Sequence, residues 1–267
     1  MKLAVQEQML TDASLEEKFE WAQRNGWDGI ELRGRGDFAL RDRLPELRRA
    51  RASGVVMPTI CVEMAHFVGA FDEDLRADAV ANLYSQLDVA AEIGALGVLT
   101  PAAWGMFSYR LPPFIPPRSA EADHEVLLDS FAALANRAHA NGVEIWIEPL
   151  NRYEDHMINR LEQAAQLIEE IGNPSFRIGA DTYHMNIEEA DPLETFRQYA
   201  RYLGHVQVSD SNRLEPGAGH IDFAAVFRML DNVGYDRWYA IESRFSTDAE
   251  TALRVSAANL RKAYNAQ

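Results

Sequence analysis

Cysteine is almost missing from this chain: Cys61 is the single one in 267 residues. An internal disulfide is therefore excluded, and the thiol's setting in the apolar run "VVMPTICV" predicts a buried, inert side chain in a reducing compartment. Basic charge is also scarce, with 26 Lys and Arg against 41 Asp and Glu and a formal net charge of −15. Such a field repels polyphosphate backbones, so nucleic acid is not an expected partner. No 18-residue apolar run occurs, and the N-terminal "MKLAVQEQML" meets Gln6 and Glu7 too early for a signal-peptide core. The expectation is a soluble, cytoplasmic protein with no membrane partner. No glycine-rich fingerprint follows the first apolar run, which argues against a dinucleotide fold, and no glycine-rich loop leads into a helix as a phosphate cradle would require. The compact basic cluster "ELRGRG", with Arg33 and Arg35, reads as a solvated or salt-bridged pair, which favours an unphosphorylated substrate.

What the chain does have is alternation. Short apolar, β-branched runs, "KLAVQ", "GIELR", "VVMPTICV", "GVLTP", "EIWIEP", "FRIGAD", "HVQVSD" and "WYAIES", alternate with longer segments of helical period. Nearly continuous apolarity is the mark of parallel strands buried on both faces. "SLEE" predicts a capping box between Ser14 and Glu17, and most helical segments finish on glycine. Eight such units predict an α/β fold, a single (β/α)₈ TIM barrel over residues 1–267, with a doubly wound open sheet as the alternative. One connection breaks the rhythm: residues 102–119, "AAWGMFSYRLPPFIPPRS", carry prolines and aromatics with no helical period. This predicts an ordered loop serving as a lid over the site or as a subunit contact.

In such a barrel the chemistry lies at the C-terminal ends of the strands. Four consecutive ends carry oxygen ligands: Glu148 in "WIEPLNR", Asp181 in "IGADTYH", Gln207 in "HVQVSD" and Glu242 in "YAIES", each about one βα unit from the next. Any one alone would read as a helix cap or a salt-bridge partner. Three carboxylates around one apolar mouth cannot all stay ionised without compensation, and one divalent cation is the simplest source of it. Oxygen donors with neither cysteine nor clustered histidine favour a hard ion, Mn²⁺ first, with Mg²⁺ or Co²⁺ as substitutes, over Zn²⁺. His184, Glu154 and Arg213 follow these ends closely and are expected on loops above the metal as substrate-hydroxyl contacts. Arg213 pairing with Asp210 or Glu215 is the plainer alternative. Trp104, Phe107 and Trp146 are candidates for apolar walls against a sugar, or for ordinary packing. His205 and His220 read as structural hydrogen-bonding residues.

The motifs "IEPLNRYE", "GADTYHMNIEE", "GHVQVSDSNRLEPGAGHIDF" and "AIES" resemble, in order and spacing, those of the xylose isomerase-like barrels grouped as sugar phosphate isomerases and epimerases, above all the ketose 3-epimerases and hydroxypyruvate isomerases. The resemblance is close in the C-terminal half and rhythmic only in the N-terminal half. It implies Glu148, Asp181, Gln207 and Glu242 as metal ligands, Glu148 and Glu242 as the catalytic proton-transfer pair, and His184, Arg213 and Glu154 as substrate contacts. It also implies a homodimer or homotetramer. Gln207 departs from the ketose 3-epimerase pattern, where histidine is usual, and is more like the hydroxypyruvate isomerases.

The expected function is a divalent-metal-dependent isomerase or epimerase acting on a keto sugar or small hydroxy-carbonyl compound through a cis-enediolate. The alternative is a metal-dependent lyase or dehydratase, eliminating a β-substituent from a keto sugar at the same site. A DNA-repair endonuclease of the same broad fold group fits poorly with seven histidines and net negative charge, and a non-catalytic sugar-binding barrel is a fourth reading.

Overall fold

The computed structural model describes every residue except Asp12, Leu111, Pro113 and Gln267. Eight parallel strands close into a barrel in sequence order: β1 (Lys2–Gln6), β2 (Gly29–Arg35), β3 (Thr59–Glu63), β4 (Gly97–Pro101), β5 (Glu144–Glu148), β6 (Phe176–Asp181), β7 (Leu203–Val208) and β8 (Trp238–Ile241). Closure is made by β1 against β8, in the register Leu3 to Tyr239 and Val5 to Ile241. The open-sheet alternative is thereby excluded.

The helices of the wall are α1 (Leu15–Arg24), α2 (Ala39–Asp42), α3 (Leu44–Ala52), α4 (Glu73–Ile93), α5 (Ala120–Asn141), α6 (Leu161–Ile171), α7 (Thr182–Glu188), α8 (Pro192–Tyr199), α9 (Phe223–Asn232) and α10 (Ala249–Asn265). The predicted capping box is present: Ser14 Oγ accepts from Glu17 N, while Ser14 N donates to the Glu17 carboxylate at 3.0 Å. None of the helices is long and apolar enough to cross a membrane, among the described residues.

The ends of β2, β7 and β8 are shifted by about two residues from the sequence expectation, and three further differences have a local reason. β3 begins at Thr59 rather than Val55, because Pro58 has no N–H to give a ladder. The segment after β2, expected as one helix, divides at Arg43, where Pro45 enters the first turn of α3. Between β6 and β7, the additional short helix α7 starts directly at the strand end, because Asp181 Oδ1 accepts from Tyr183 N at 2.7 Å and His184 N at 3.3 Å.

The barrel's lower interior is built around Trp146 on β5, which is fully buried. Gly97 and Gly204 make room for it: a Cβ on Gly204 would lie 2.2 Å from the indole nitrogen, and one on Gly97 2.7 Å from the ring. The indole N–H donates to Glu144 at 2.6 Å, and Arg237 binds the same carboxylate. His205 on β7 stacks on the Trp146 ring, with centroids 5.1 Å apart, and so forms the floor beneath the mouth.

Candidate metal centre and substrate cavity

Glu148 ends β5, Asp181 ends β6, Gln207 is the penultimate residue of β7, and Glu242 follows β8 immediately, its N–H donating to Val208 O. The barrel brings these four side chains to one mouth. Glu148 and Glu242 line a cavity of about 1260 Å³, which Arg213, His184 and Glu154 also line. Asp181 and Gln207 are almost completely buried beneath it.

The hydrogen bonding is uneven. Glu148 Oε1, Gln207 Oε1 and Glu242 Oε2 are buried with no hydrogen-bond partner among the described residues. A buried acceptor without a donor costs roughly 1–3 kcal/mol, and more for a charged one, so three at one place call for a missing electrophile. Burial, then repulsion from Glu242 and Asp181, pushes the Glu148 carboxyl well above the usual carboxylate range. Burial raises Glu242 to about 7, opposed by Arg213 and reinforced by Asp181. Asp181 is raised as well, by burial, with Arg213 and the α7 amides working against the rise. A divalent cation fits this donor set, since it would satisfy the orphaned oxygens and the excess negative charge together.

Arg213 does not pair with Asp210 or Glu215. Its guanidinium lies between two of the strand ends, with Nη1 donating to Asp181 Oδ2 at 2.8 Å and Nη2 3.0 Å from Glu242 Oε1. Its backbone has a positive φ of 62°, a conformation that costs a non-glycine residue about 1–3 kcal/mol and persists where the surroundings impose it. Asp210 imposes it. That side chain accepts from the amides of Ser211, Gly217 and Ile221, winding the "SDSNRLEPGAGHI" loop around one carboxylate. Glu215 ties the loop to Ser246.

His184 lies on α7 rather than on a loop. The group of Glu148, Asp181 and His184 has ligand atoms within 4.8 Å of one another and could in principle hold a metal. The hydrogen bonds assign His184 otherwise. Its Nδ1 accepts from Asn151 N at 2.9 Å and faces the Asn151 amide nitrogen at 2.8 Å. The ring proton therefore sits on Nε2, 3.7 Å from Glu148 Oε1, where it is a donor and not a lone pair. Burial, then the nearby Arg213 charge, lowers His184 to about 3, so the ring is neutral. Glu154 is held by Asn151 Nδ2 at 2.9 Å and Trp104 Nε1 at 3.1 Å.

Of the aromatic candidates, Trp104 lines the cavity. Phe107 packs instead on Tyr109 and His156, and Trp146 belongs to the floor. His205 is fully buried with Nε2 2.8 Å from Glu31 Oε2, yet neither of its ring nitrogens makes a hydrogen bond among the described residues, unlike the expectation; exposed His220 meets Ser211 Oγ. Arg33 is salt-bridged, to Glu63. Cys61 is half-buried at the cavity wall, with its thiol pushed up by burial and by Glu242. Within the 102–119 segment, Leu111 and Pro113 lie outside the described residues, and Trp104 and Arg110 reach the cavity.

The sequence reading missed Glu31, Asn151 and the organising role of Asp210. Glu31 left a signal, a lone carboxylate inside the apolar strand "GIELR". Asn151 left none, because its importance lies in which nitrogen of His184 it meets.

The family profile described as xylose isomerase-like TIM barrel matches residues 19–263. The chain belongs to this family. Among its xylose isomerase-like relatives, the 3-dehydro-D-guloside 4-epimerase of Escherichia coli (strain K12) is 36% identical over 263 residues, covering 98% of this chain and 99% of that protein. The crystal structure of apo 3-keto-D-glucoside 4-epimerase from the same species superimposes with a TM-score of 0.93 at 36% identity, over 98% of this chain and 99% of that one. The ketose 3-epimerase of Arthrobacter globiformis is 34% identical over 160 residues, 59% of this chain and 52% of that protein. This xylose isomerase-like chain is accordingly an enzyme of the sugar isomerase and epimerase class, and the elimination reading finds no support among these relatives.

Proposed function

We propose that the protein is a divalent-metal-dependent epimerase of 3-keto glycosides that inverts the carbon beside the ketone by proton transfer. The observation that carries the reading is the trio of buried, unpartnered oxygens on Glu148, Gln207 and Glu242. The end-to-end match to a protein named 3-dehydro-D-guloside 4-epimerase supports a keto glycoside over a free ketose.

In this reading Glu148, Asp181, Gln207 and Glu242 hold one cation, Mn²⁺ in preference to Zn²⁺ because the donors are all oxygen. The ion supplies Lewis acidity at the substrate ketone, lowering the energy of the oxyanion that develops as the adjacent carbon loses its proton. Glu148 and Glu242 approach from β5 and from the end of β8, strands that are not neighbours in the barrel, so they address different faces of a bound ring. One carboxylate takes the proton, and the C–H electron pair becomes the double bond of an enediol(ate). The other, in its acid form, returns a proton to the opposite face and the configuration inverts. Carboxyls whose buried surroundings raise them toward neutrality suit that exchange. His184 donates its Nε2–H to a substrate oxygen, while Arg213 and Glu154 hold hydroxyls. Segment 102–119 walls one side of the mouth through Trp104 and Arg110.

The test is to incubate the enzyme with Mn²⁺ and a 3-keto glucoside in D₂O and follow the sugar by NMR. Deuterium at C4 together with the C4 epimer is expected. Exchange confined to C2, or none at all with Mn²⁺ bound, overturns the reading.

A further inference from the structure

Glu31 lies on β2, facing the barrel interior, and is completely buried. Its Oε1 accepts from Gln6 Nε2 at 3.1 Å and from Gln207 Nε2 at 3.0 Å. Its Oε2 accepts from Thr59 Oγ1 at 2.7 Å and lies 2.8 Å from His205 Nε2. A carboxylate so surrounded is an acceptor only: the amides of Gln6 and Gln207 and the Thr59 hydroxyl all donate to it.

That has a consequence for Gln207. An amide has one donor end and one acceptor end, and unaided it would turn its NH₂ toward the acidic mouth of Glu148, Asp181 and Glu242. Turned that way it would repel a cation. Glu31 forces the opposite choice, because only the NH₂ can face an anion. The carbonyl oxygen is then left aimed away from Glu31, buried and without a partner.

We infer that Glu31 is a positioning residue that locks the Gln207 amide with its oxygen presented to the metal and its nitrogen withdrawn. The inference rests on the reading of Gln207 as a ligand. It explains how a glutamine can serve in an otherwise carboxylate site: the sign of its dipole is set from behind by a buried charge of the same sign as the ligands in front. Outer partners of this kind typically contribute 10–100-fold in metal affinity.

The experiment measures Mn²⁺ binding to the purified full chain by electron paramagnetic resonance of the free ion, without substrate, for wild type, Glu31→Gln, Gln207→Leu and the exchanged pair Glu31→Gln/Gln207→Glu. Circular dichroism of each gives the folded fraction. Glu31→Gln offers an NH₂ to Gln207 Oε1 and so permits the turned amide; a 10–100-fold weaker Mn²⁺ affinity is expected. The exchanged pair should recover affinity to within about 3-fold of wild type, because a carboxylate at position 207 accepts from the amide introduced on β2 and still presents an oxygen whichever way it turns. A general structural role for Glu31 predicts no such recovery. Unchanged affinity in Gln207→Leu means that the ligand reading itself is wrong. Loss in Gln207→Leu with wild-type affinity in Glu31→Gln, or no recovery in the exchanged pair, overturns the positioning role alone. Should Glu31→Gln fold poorly, the exchanged pair, which keeps one buried carboxylate among the same donors, takes its place, and an affinity there more than about 10-fold below wild type overturns the inference.

Discussion

Glu31 and Glu148 are both buried carboxylates inside the same barrel, linked to one mouth, yet their surroundings are opposite. Glu31 has donors from Gln6, Thr59 and Gln207 and a close contact with His205, and sits below the usual carboxylate range. Glu148 keeps one oxygen with no partner, faces Glu242 and Asp181, and is pushed far above it. Burial is common to both, so burial does not decide. The supply of donors decides: where the fold provides them a buried charge becomes structure, and where it withholds them the charge is left available for a cation and for protons.

The largest expected effect is on turnover at the mouth. Glu148→Gln and Glu242→Gln should each lower the rate of C4 proton exchange by about 10²–10⁴-fold, the usual share of a general acid or base, without loss of thermal stability in the chelator-treated protein. A drop in stability instead would mean that these carboxylates hold the barrel together as Glu31 does. For Glu31 the expectation is reversed in kind. Glu31→Leu leaves His205, Gln6 and Thr59 facing an apolar side chain and should destabilise the chain by about 3–5 kcal/mol in urea titrations.

Cation binding should then bring the two regions closer in behaviour. Mn²⁺ at about 100 times its dissociation constant should stabilise the wild type by about 2.7 kcal/mol, and Asp181→Asn should lose much of that gain in a thermal-shift titration. pH separates the two carboxylates by sign. Glu242 titrates higher folded, at about 7, than its usual 4.5, so the folded chain holds more protons across that window. Stability from this group is complete below the usual value and is lost as pH rises toward about 7. Glu31, lowered on folding, contributes stability that is lost only as pH falls below the usual carboxylate range. Chelator-treated wild type should therefore lose stability relative to Glu242→Gln between about pH 4.5 and 7; a constant difference would show that the mouth titrates like exposed carboxylates. The smallest effect lies in the floor, where Gly204→Ala should cost about 1–3 kcal/mol by overpacking Trp146, with C4 exchange in the folded fraction preserved.

Much of the barrel was legible because buried parallel strands leave continuous apolar runs, and β4 and β6 begin and end where "GVLTP" and "FRIGAD" do. The four strand-end residues were legible for a related reason. A polar side chain at the C-terminal limit of each apolar run has no role in the core, and the βα period brings all four to one mouth. Boundaries shifted where proline removed a donor, at β3, or entered a first turn, at α3. The helix α7 was hidden because Asp181, which caps it, was already read as the end of a strand.

The sequence by itself determined the periodicity, the acidic strand ends and the absence of any other chemistry strong enough to compete: one cysteine, scattered histidines, no phosphate loop. Only the tertiary structure decided which way each polar group points. Arg213 left its neighbours Asp210 and Glu215 for Asp181 and Glu242, His184 received its proton assignment from Asn151, and Gln207 its orientation from Glu31 on the far side of the chain. The physical reason is that period and hydrophobicity are local along the chain, whereas a hydrogen bond's direction depends on the donor or acceptor opposite it, which closure of the barrel alone supplies.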